Sequence, residues 1–376
     1  MPGMSDVSKH TPPDDDAPPV RAAWVAGAET FGRFGRVLQP LAVGLVDEMV
    51  GITVLLPGSA DCPELETVPH EAAVYPPARW WRIGGRWLDA VAADLKRRKI
   101  DLLHALDGSA GRLTRTLARR LDVPYVLSSY ALDDTWRLSE AGREAAAVLA
   151  ASEPLRDALA DRAVAPAERL RLMRPGVYHV RRPTCFDDPT HSIAIVAGGP
   201  LADLPACDAV LQCFAELAAR KYDCAFFFLG TGPAERRLRQ RAEQRKLLAH
   251  LTFADCRPMG QLTGIFKAAD VFIAPVAHDG IDMQTLLAMA AGVPVLAAAG
   301  GAVSDFLRDG ETATFFTQGD SAELTVKLTA LLDDRASARA LAASAIEYVH
   351  RNHSPAVNVT ALAHIYHEAL ANRSAG

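Results

Sequence analysis

The sequence lacks the uninterrupted run of about 18 or more apolar residues that a membrane-spanning helix requires. Its first residues, MPGMSDVSKHTPPDDD, also lack the apolar core of a signal peptide. Both absences disfavour export and membrane insertion. We therefore expect a cytoplasmic protein, with at most a peripheral association with the inner face of a membrane.

Cysteine is also scarce, and acidic residues slightly outnumber basic ones. The six cysteines are scattered, with no C-x-x-C pair and no Cys/His cluster at the spacing of zinc ligands. We interpret them as reduced thiols and expect no metal. The net charge of -5 and the isoelectric point near 6.1 argue against a protein that wraps nucleic acid. We therefore expect no nucleic-acid partner.

A chain of 376 residues has the length of two domains, at about 150 residues each. Residues 1–20 are rich in Pro and Asp and poor in apolar residues, so we expect a disordered tail there. We place the first domain at 21–185, the second at 186–353 and a final helix at 354–376.

Short apolar runs alternate with helical patterns in both domains. In the first domain the runs are AAWVAG, ITVLLPG, IDLLHAL and PYVLSSY; in the second they are HSIAIVAGG, DCAFFFLGTG, HLTFADC, ADVFIAPVA, VPVLAAAGG and TATFF. Strands that alternate with helices indicate parallel sheets. The sequence therefore predicts an α/β protein with two Rossmann-like domains, whose loops after the strands line a cleft.

The histidines divide between a strand and the C-terminal helices. His104 alternates with Leu106 on a predicted strand, which indicates a core histidine with satisfied nitrogens. The final helix has one apolar face, made by Leu362, Ile365, Tyr366 and Leu370. We expect exposed positions for the four histidines of this region, which are His350, His353, His364 and His367.

Glycines between a strand and a helix favour anion binding. Gly230 and Gly232 stand in such a place, in FFFLGTGPAERRLRQ, where backbone N–H groups and the helix dipole attract negative charge. A dinucleotide fingerprint needs a third glycine, where Glu235 stands. A glycine turn that only reverses the chain is an equally good interpretation.

Two other segments have a functional and a structural interpretation. DGSAG follows a predicted strand, but a nucleophile elbow needs Gly where Asp107 stands, which disfavours a hydrolase. PPARWWRIGGRW, at 76–87, contains three Trp and three Arg. It is compatible with an interfacial membrane patch or an acceptor platform, and also with core packing.

The second half of the chain resembles the nucleotide-sugar domain of the family 4 glycosyltransferases, which are retaining enzymes with the GT-B fold. The resemblance lies in FLGTGPAERRLR, in the run LTFADCRPMGQLTGIFKAADVFIAPVAHDGIDMQTLLAMAAGVPVLAAAGGAVSDFLRDG and in SAELTVKLTALLDD. A weaker resemblance covers the glycines before LAVGLVDE, and also IDLLHALD and AASEPLRDAL.

This resemblance implies two facing Rossmann-like domains with the C-terminal helix packed back across them. It also implies transfer of a sugar from a nucleotide sugar, the co-substrate, to an unknown acceptor, without a cofactor or metal. The partners would be the nucleotide sugar and a glycan or lipid-linked acceptor, with a peripheral membrane or a protein partner as a further option.

The resemblance also assigns roles to individual residues. His278 and Asp279 are the catalytic candidates, and His278 would serve as a substitute polar group. Asp279 and Gly280 would lie near the sugar and the phosphates. Two glycines would approach the diphosphate, namely Gly32 and Gly35. Four others would contact the nucleotide: Gly230, Gly232, Gly300 and Gly301.

The sequence departs from the family pattern at the donor carboxylates and phosphate cations. The family has two glutamates separated by seven residues, the second of which contacts the donor ribose; here Asp279 and Leu287 stand in those places. An Arg and a Lys-Gly pair that neutralise the diphosphate fall on Pro200 and on Pro205–Ala206. The protein thus lacks charged groups that stabilise the departing nucleoside diphosphate.

Two family histidines are also replaced: one close to the reacting sugar, by Leu106, and one after the next strand, by Tyr130. Arg33, Arg36 and Arg257 could supply phosphate charge from other loops. The sequence therefore leaves two alternatives open. One is an active glycosyltransferase, and the other is a non-catalytic descendant that acts as a binding or regulatory partner.

Overall fold

The computed structural model describes residues 19–58, 70–76, 86–188, 191–199, 201–255, 262–277, 279–300 and 305–374. Almost all of the expected tail at 1–20 lies outside these ranges. The same holds for most of the Trp- and Arg-containing segment at 76–87.

Thirteen β-strands lie within the described ranges. They are β1 (Val20–Val25), β2 (Val50–Pro57), β3 (Glu71–Tyr75), β4 (Leu102–Ala105), β5 (Tyr125–Ser129), β6 (Ala147–Ala150), β7 (Leu170–Leu172), β8 (Ile193–Gly198), β9 (Cys224–Leu229), β10 (Leu251–Ala254), β11 (Val271–Ala274), β12 (Val295–Ala298) and β13 (Thr314–Phe316).

The helices of the described ranges cover the faces of the sheets. They are α1 (Thr30–Asp47), α2 (Arg86–Arg97), α3 (Gly111–Leu121), α4 (Asp134–Arg137), α5 (Glu153–Asp161), α6 (Leu204–Ala219), α7 (Glu235–Gln244), α8 (Leu262–Lys267), α9 (Met283–Ala290), α10 (Ser321–Asp333), α11 (Arg335–Asn352) and α12 (Pro355–Ser374). None of these described helices has both the length and the apolar character needed to cross a membrane.

The strands form two parallel sheets, as predicted. In the described residues the first sheet has the order β3-β2-β1-β4-β5-β6-β7, and the second has the order β10-β9-β8-β11-β12-β13. Every residue of β4, β5 and β6 is buried. Burial on both faces explains why these strands are apolar runs without alternation. The predicted α/β architecture of two Rossmann-like domains is confirmed.

Both sheets reverse their strand order at an equivalent point. The order changes direction between β1 and β4 in the first sheet, and between β8 and β11 in the second. Ligands of open parallel sheets bind outside the carboxyl ends of the strands at such a switch point. The loops that follow these four strands are therefore the first places to look for a site.

The C-terminal helices connect the two domains. Helix α11 packs against α9 of the second domain, whereas α12 returns to the first domain and packs against α1 and β4. The predicted apolar face of α12 is correct, since Leu362 and Tyr366 are fully buried. Ile365 and Leu370 also pack against this core, each partly buried.

One histidine at this crossing differs from the prediction. His353 was expected to be an exposed helix residue, but it is buried, at 1% exposure, just beyond the end of α11. Its Nδ1 lies 2.7 Å from the carbonyl oxygen of Pro175. Because that oxygen can only accept, Nδ1 carries the proton. Burial lowers the pKa of His353 to about 4.

Candidate functional site

A cavity of about 580 Å³ opens between the domains at the switch point of the first sheet. Its walls are the loops after β1, β4 and β5, the first turn of α1, and residues 279–281 of the second domain. We call this cavity the cleft. It therefore lies where the strand order predicts a ligand site.

Asp107 holds two of the cleft loops together. Its carboxylate accepts hydrogen bonds from the Thr30 hydroxyl, at the start of α1, and from the Ser109 backbone N–H at 2.8 Å. The Thr30 hydroxyl oxygen in turn accepts from the N–H of Gly27 at 2.7 Å. The loops after β1 and β4 are therefore fixed relative to each other before any ligand binds.

Asp134 shapes the loop after β5 in the same way. Its Oδ2 accepts from the backbone N–H groups of Tyr130 at 2.8 Å and Ala131 at 3.1 Å. Burial raises the pKa of this carboxyl, although the two hydrogen bonds act in the opposite direction. The Tyr130 ring stacks on Phe34 with centroids 4.2 Å apart, so α1 supports this side of the cleft.

The two domains are joined at the cleft by backbone hydrogen bonds. The Leu132 N–H donates to the Asp279 carbonyl at 2.8 Å, and the Ile281 N–H donates to the Tyr130 carbonyl at 2.9 Å. Gly280 lies between them, where a Cβ atom would come within 2.9 Å of the Tyr130 carbonyl oxygen. We call this pair of bonds the backbone bridge. It places the exposed Asp279 side chain at the wall of the cleft.

Gly32 and Gly35 belong to a helix and not to a loop, and their contact with the diphosphate stays a prediction. Both residues lie inside α1, Gly32 in its first turn and Gly35 on its buried side. Glycine costs a helix about 1 kcal/mol relative to alanine. The apolar face that includes Phe31, Phe34 and Leu38 is fully buried and offsets this cost. Only the N-terminus of α1 faces the cleft, through residues such as Thr30 and Arg33.

Gly230 and Gly232 are required by close packing between loops. A Cβ on Gly230 would collide with the Gly199 carbonyl oxygen, and one on Gly232 would come within 2.5 Å of the Leu201 oxygen. Gly230 also has a φ of +132°, which favours glycine. Its N–H donates to the Ala254 carbonyl at 3.0 Å. A contact between these glycines and a nucleotide stays a prediction, and the Gly230 N–H is already engaged within the protein.

Gly300 borders a much smaller cavity on the second domain. This cavity has a volume of about 30 Å³ and is also lined by Gly280, Asp282 and Thr285. Gly300 has a φ of +113°, which suits only glycine well. The other predicted positions His278, Gly301, Pro200 and Arg257 lie outside the described residues.

Acidic side chains outnumber basic ones around the cleft. Among the described residues that line it, the acidic ones are Glu29, Asp107, Asp133, Asp134 and Asp279, and the basic ones are Arg33 and Arg137. No group of three or more His, Cys, Asp or Glu side chains in the described ranges is arranged to hold a metal ion. The expectation that neither a metal nor a cofactor takes part stays a prediction.

Comparison with known protein families places both halves of the chain. Residues 34–181 match the family described as Glycosyltransferase Family 4, and residues 205–348 match Glycosyl transferases group 1. The chain belongs to the family 4 glycosyltransferases.

Several glycosyltransferases resemble the chain at low identity. The sulfoquinovosyl transferase SQD2 of Arabidopsis thaliana is 24% identical over 321 residues, which are 78% of this chain and 59% of that protein. The D-inositol 3-phosphate glycosyltransferase of Thermobispora bispora is 25% identical over 352 residues, 84% of this chain and 76% of that protein. The same-named protein of Corynebacterium glutamicum strain R is 28% identical over 136 residues, 36% of this chain and 32% of its own length. The chain thus spans less than two thirds of some of these relatives.

Solved structures share the fold. Anabaena Alr3699/HepE in complex with UDP and glucose superposes with a TM-score of 0.75 at 15% identity, covering 92% of this chain and 98% of its own. Sucrose-phosphate synthase from Thermosynechococcus elongatus gives a TM-score of 0.76 at 17% identity, covering 94% and 100%. These similarities confirm the GT-B fold.

The replaced family 4 positions lie on well-packed elements. Leu287 is in α9, half-buried against the core, and Pro205 is in the first turn of α6. Leu106 is fully buried at the end of β4, and Tyr130 lines the cleft. These four departures therefore lie in or directly beside described helices and strands.

Sequence reasoning missed several cleft residues. Thr30, Phe34, Ser109, Asp134 and Arg137 line the cleft, although none of them was singled out as a site residue. The available signal was position, because Ser109 and Asp134 lie in or at the end of loops that follow the predicted strands. The general expectation that such loops line the cleft was correct.

Proposed function

We propose that this protein is an enzyme that transfers a sugar from a nucleoside-diphosphate sugar to an acceptor bound in the cleft. The observation that supports the proposal best is the position of the cleft, a cavity of about 580 Å³ at a topological switch point with walls from both domains. The family membership and the UDP or glucose named with the Anabaena structure agree with it. The non-catalytic alternative is not favoured by these similarities.

Asp279 is the side chain best placed to act on the donor sugar, because it enters the cleft from the second domain. The donor diphosphate would lie near the start of α1. In the described residues this helix has no side-chain cap at its N-terminus. The Thr30 N–H donates to the Gly27 carbonyl at 3.4 Å, so the next two N–H groups, of Phe31 and Gly32, are the ones available to an anion. Arg33, one turn into the helix, adds positive charge. These groups would replace the missing Arg and Lys.

The acceptor would enter from the first domain, as a glycan or a lipid-linked molecule. Nucleic acid is not expected as a partner, and a cytoplasmic location with peripheral membrane contact remains part of the proposal. His278, Gly300 and Gly301 are proposed as additional donor contacts, alongside Gly232.

The test measures nucleotide binding and donor cleavage separately. We expect UDP, GDP or ADP to bind the full chain in a calorimetric titration, and the matching nucleotide sugar to be hydrolysed slowly without acceptor. Asp279→Asn should abolish most hydrolysis while nucleotide binding persists. Asp89→Asn is the matched control, because Asp89 is 71% exposed and lies in α2 away from the cleft. Absence of heat and of a thermal shift at millimolar nucleotide would contradict the proposal.

A further inference from the structure

A second cavity adjoins the cleft on the first domain. It has a volume of about 520 Å³ and shares Ser109 and Arg137 with the cleft. Its other lining residues include Arg112 and Arg115 of α3, Trp136 of α4, and Glu140. We call this cavity the arginine groove. A molecule in the cleft could extend into it past Ser109 and Arg137.

The arginine groove carries the opposite charge to the cleft. Three arginines line it against one carboxylate, Glu140, among the described residues. Glu140 lies 3.9 Å from Arg112 and 3.7 Å from Arg115, which is beyond hydrogen-bond distance. Arginine remains charged at any physiological pH. The groove therefore presents a permanent positive charge next to an acidic cleft.

The arginines differ in how firmly they are held. Arg115 is fixed by Glu144 at 2.6 Å, and Glu144 is also bound by Arg119. Arg112 is 78% exposed, and Arg137 is 52% exposed with its nearest carboxylate, Asp133, 3.8 Å away. Arg112 and Arg137 are thus able to turn their guanidinium groups towards an incoming anion.

Trp136 adds an apolar surface to the same cavity. Its side chain is exposed to 69%, although it is large and hydrophobic. The guanidinium of Arg162 lies 4.0 Å from the centre of the Trp136 ring. An exposed indole beside cationic groups suits a ligand that has both an anionic and an apolar part.

We infer that the arginine groove binds a phosphate group of the acceptor, while the hydroxyl that receives the sugar lies in the cleft. This inference rests on the proposed function. Guanidinium groups match phosphate oxygens in geometry and can bind them through two parallel hydrogen bonds. The acceptor is then a phosphate ester, either a soluble phosphorylated polyol or a phospholipid headgroup.

The first experiment titrates the full chain with glycerol 3-phosphate and with glycerol as the uncharged control. We expect binding of the phosphate ester only, weakened about tenfold or more in Arg112→Gln and further in Arg112→Gln/Arg137→Gln. The matched control is Arg97→Gln/Arg351→Gln, which removes the same charge at positions exposed to 78% and 70%. Equal weakening in both double variants would overturn the inference. It would also be overturned if the wild type bound neither the phosphate ester nor phosphatidylglycerol vesicles.

A second arm identifies the source of the phosphate. Sedimentation with phosphatidylglycerol vesicles, against phosphatidylcholine vesicles, shows a lipid source if the groove variants lose binding and the control retains it. A soluble source is shown if only glycerol 3-phosphate depends on the groove. Vesicle binding that is equal in all variants, with no groove-dependent binding of glycerol 3-phosphate, would refute the inference.

UDP binding keeps this inference separate from the proposed function. Arg112 lines the groove and not the cleft, so Arg112→Gln should leave the affinity for UDP unchanged. If the wild type binds no nucleotide but binds phosphate through the groove, the proposed function fails and the groove stands. If UDP binds and Arg112→Gln leaves the affinity for glycerol 3-phosphate unchanged, only the groove assignment fails.

Discussion

The hydroxyl of Tyr366, on the last helix, lies 2.6 Å from Nδ1 of His104, on a central strand of the first sheet. The same hydroxyl oxygen accepts from Nε1 of Trp24 at 2.9 Å. The Tyr366 proton is therefore directed at Nδ1, and His104 carries its own proton on Nε2, which donates to Ser128 at 2.9 Å. This buried chain connects α12 to the strand that leads into the cleft.

Tyr366→Phe should destabilise the protein. Within the described structure, the Tyr366 hydroxyl is the only hydrogen-bond partner of the Trp24 indole N–H and of His104 Nδ1. Each buried polar group that is left unsatisfied costs about 1–3 kcal/mol. We expect a loss of roughly 2–4 kcal/mol, measured by urea unfolding. The control is Tyr178→Phe, at a residue 75% exposed, which should leave the unfolding midpoint unchanged. Equal midpoints for the two variants would contradict this account.

Acid should destabilise the fold through His104 and His353. Burial lowers the pKa of His104 to about 3 and that of His353 to about 4, whereas the unfolded chain protonates histidine near 6.5. Below pH 6.5 the unfolded state therefore binds more protons than the folded state. Each histidine should lower the free energy of unfolding by about 1.4 kcal/mol for each pH unit from about 6 down towards its folded pKa.

The slope of stability against pH measures this effect between pH 7 and 5. His353→Gln should reduce the mean slope over this range by about 1 kcal/mol per unit, because the unfolded histidine titrates within it. His364→Gln, at a side chain 72% exposed, is the control. His191 acts in the opposite direction, because the Asp270 carboxylate raises its pKa. The stability that the His191–Asp270 pair adds is present at low pH and is lost as the pH rises through the folded pKa of His191. An unchanged slope in His353→Gln would exclude the buried neutral histidine.

Gly280→Ala should loosen the backbone bridge. The added Cβ would meet the Tyr130 carbonyl oxygen at 2.9 Å and the Ala131 Cβ at 3.0 Å, so the two loops must separate. We expect the Leu132 and Ile281 amides to exchange with deuterium at least about tenfold faster. Gly264→Ala is the control, because a Cβ there meets no atom within 4 Å. Unaltered exchange at both amides would show that the bridge tolerates the extra carbon.

Leu287→Glu should strengthen the response to nucleotide at a cost in stability. Leu287 is partly buried, and a carboxylate in its place has no ribose to bind until ligand is present, which costs a few kcal/mol. We expect a lower melting temperature without ligand and a larger increase on adding UDP than in the wild type. Leu248→Glu, at a residue 50% exposed, should match the wild type in its UDP response. A UDP shift no larger than that of the wild type would mean that position 287 does not face the ribose.

The strands of both sheets could be predicted because burial on two faces leaves a continuous apolar run. CAFFFL and VFIA are examples, at β9 and β11. β3, β6 and β7 were missed. EAAVY alternates in burial at a sheet edge, LRL has only three residues, and AVLA of β6 lies within the alanine-rich run at 145–151. Edge position and short length hid β3 and β7 respectively, and composition hid β6.

The site was less predictable because its parts come from distant segments. The local sequence around Gly32 and Gly35 is typical of a loop, but these residues form a helix because α1 buries an apolar face against the core. The burial of His353 depends on the Pro175 carbonyl, which no helical periodicity reveals. The arginine groove brings α3 together with α4, and only the order of the sheet makes them neighbours.

The backbone bridge lets the arrangement of the domains and the donor chemistry change independently. Its two hydrogen bonds use only main-chain atoms of residues 130–132 and 279–281, so most side-chain replacements leave them in place. Replacements such as Leu at position 287 can therefore accumulate while the two halves keep their mutual position. Over evolutionary time, the bridge would allow this scaffold to exchange one donor for another without first losing its shape.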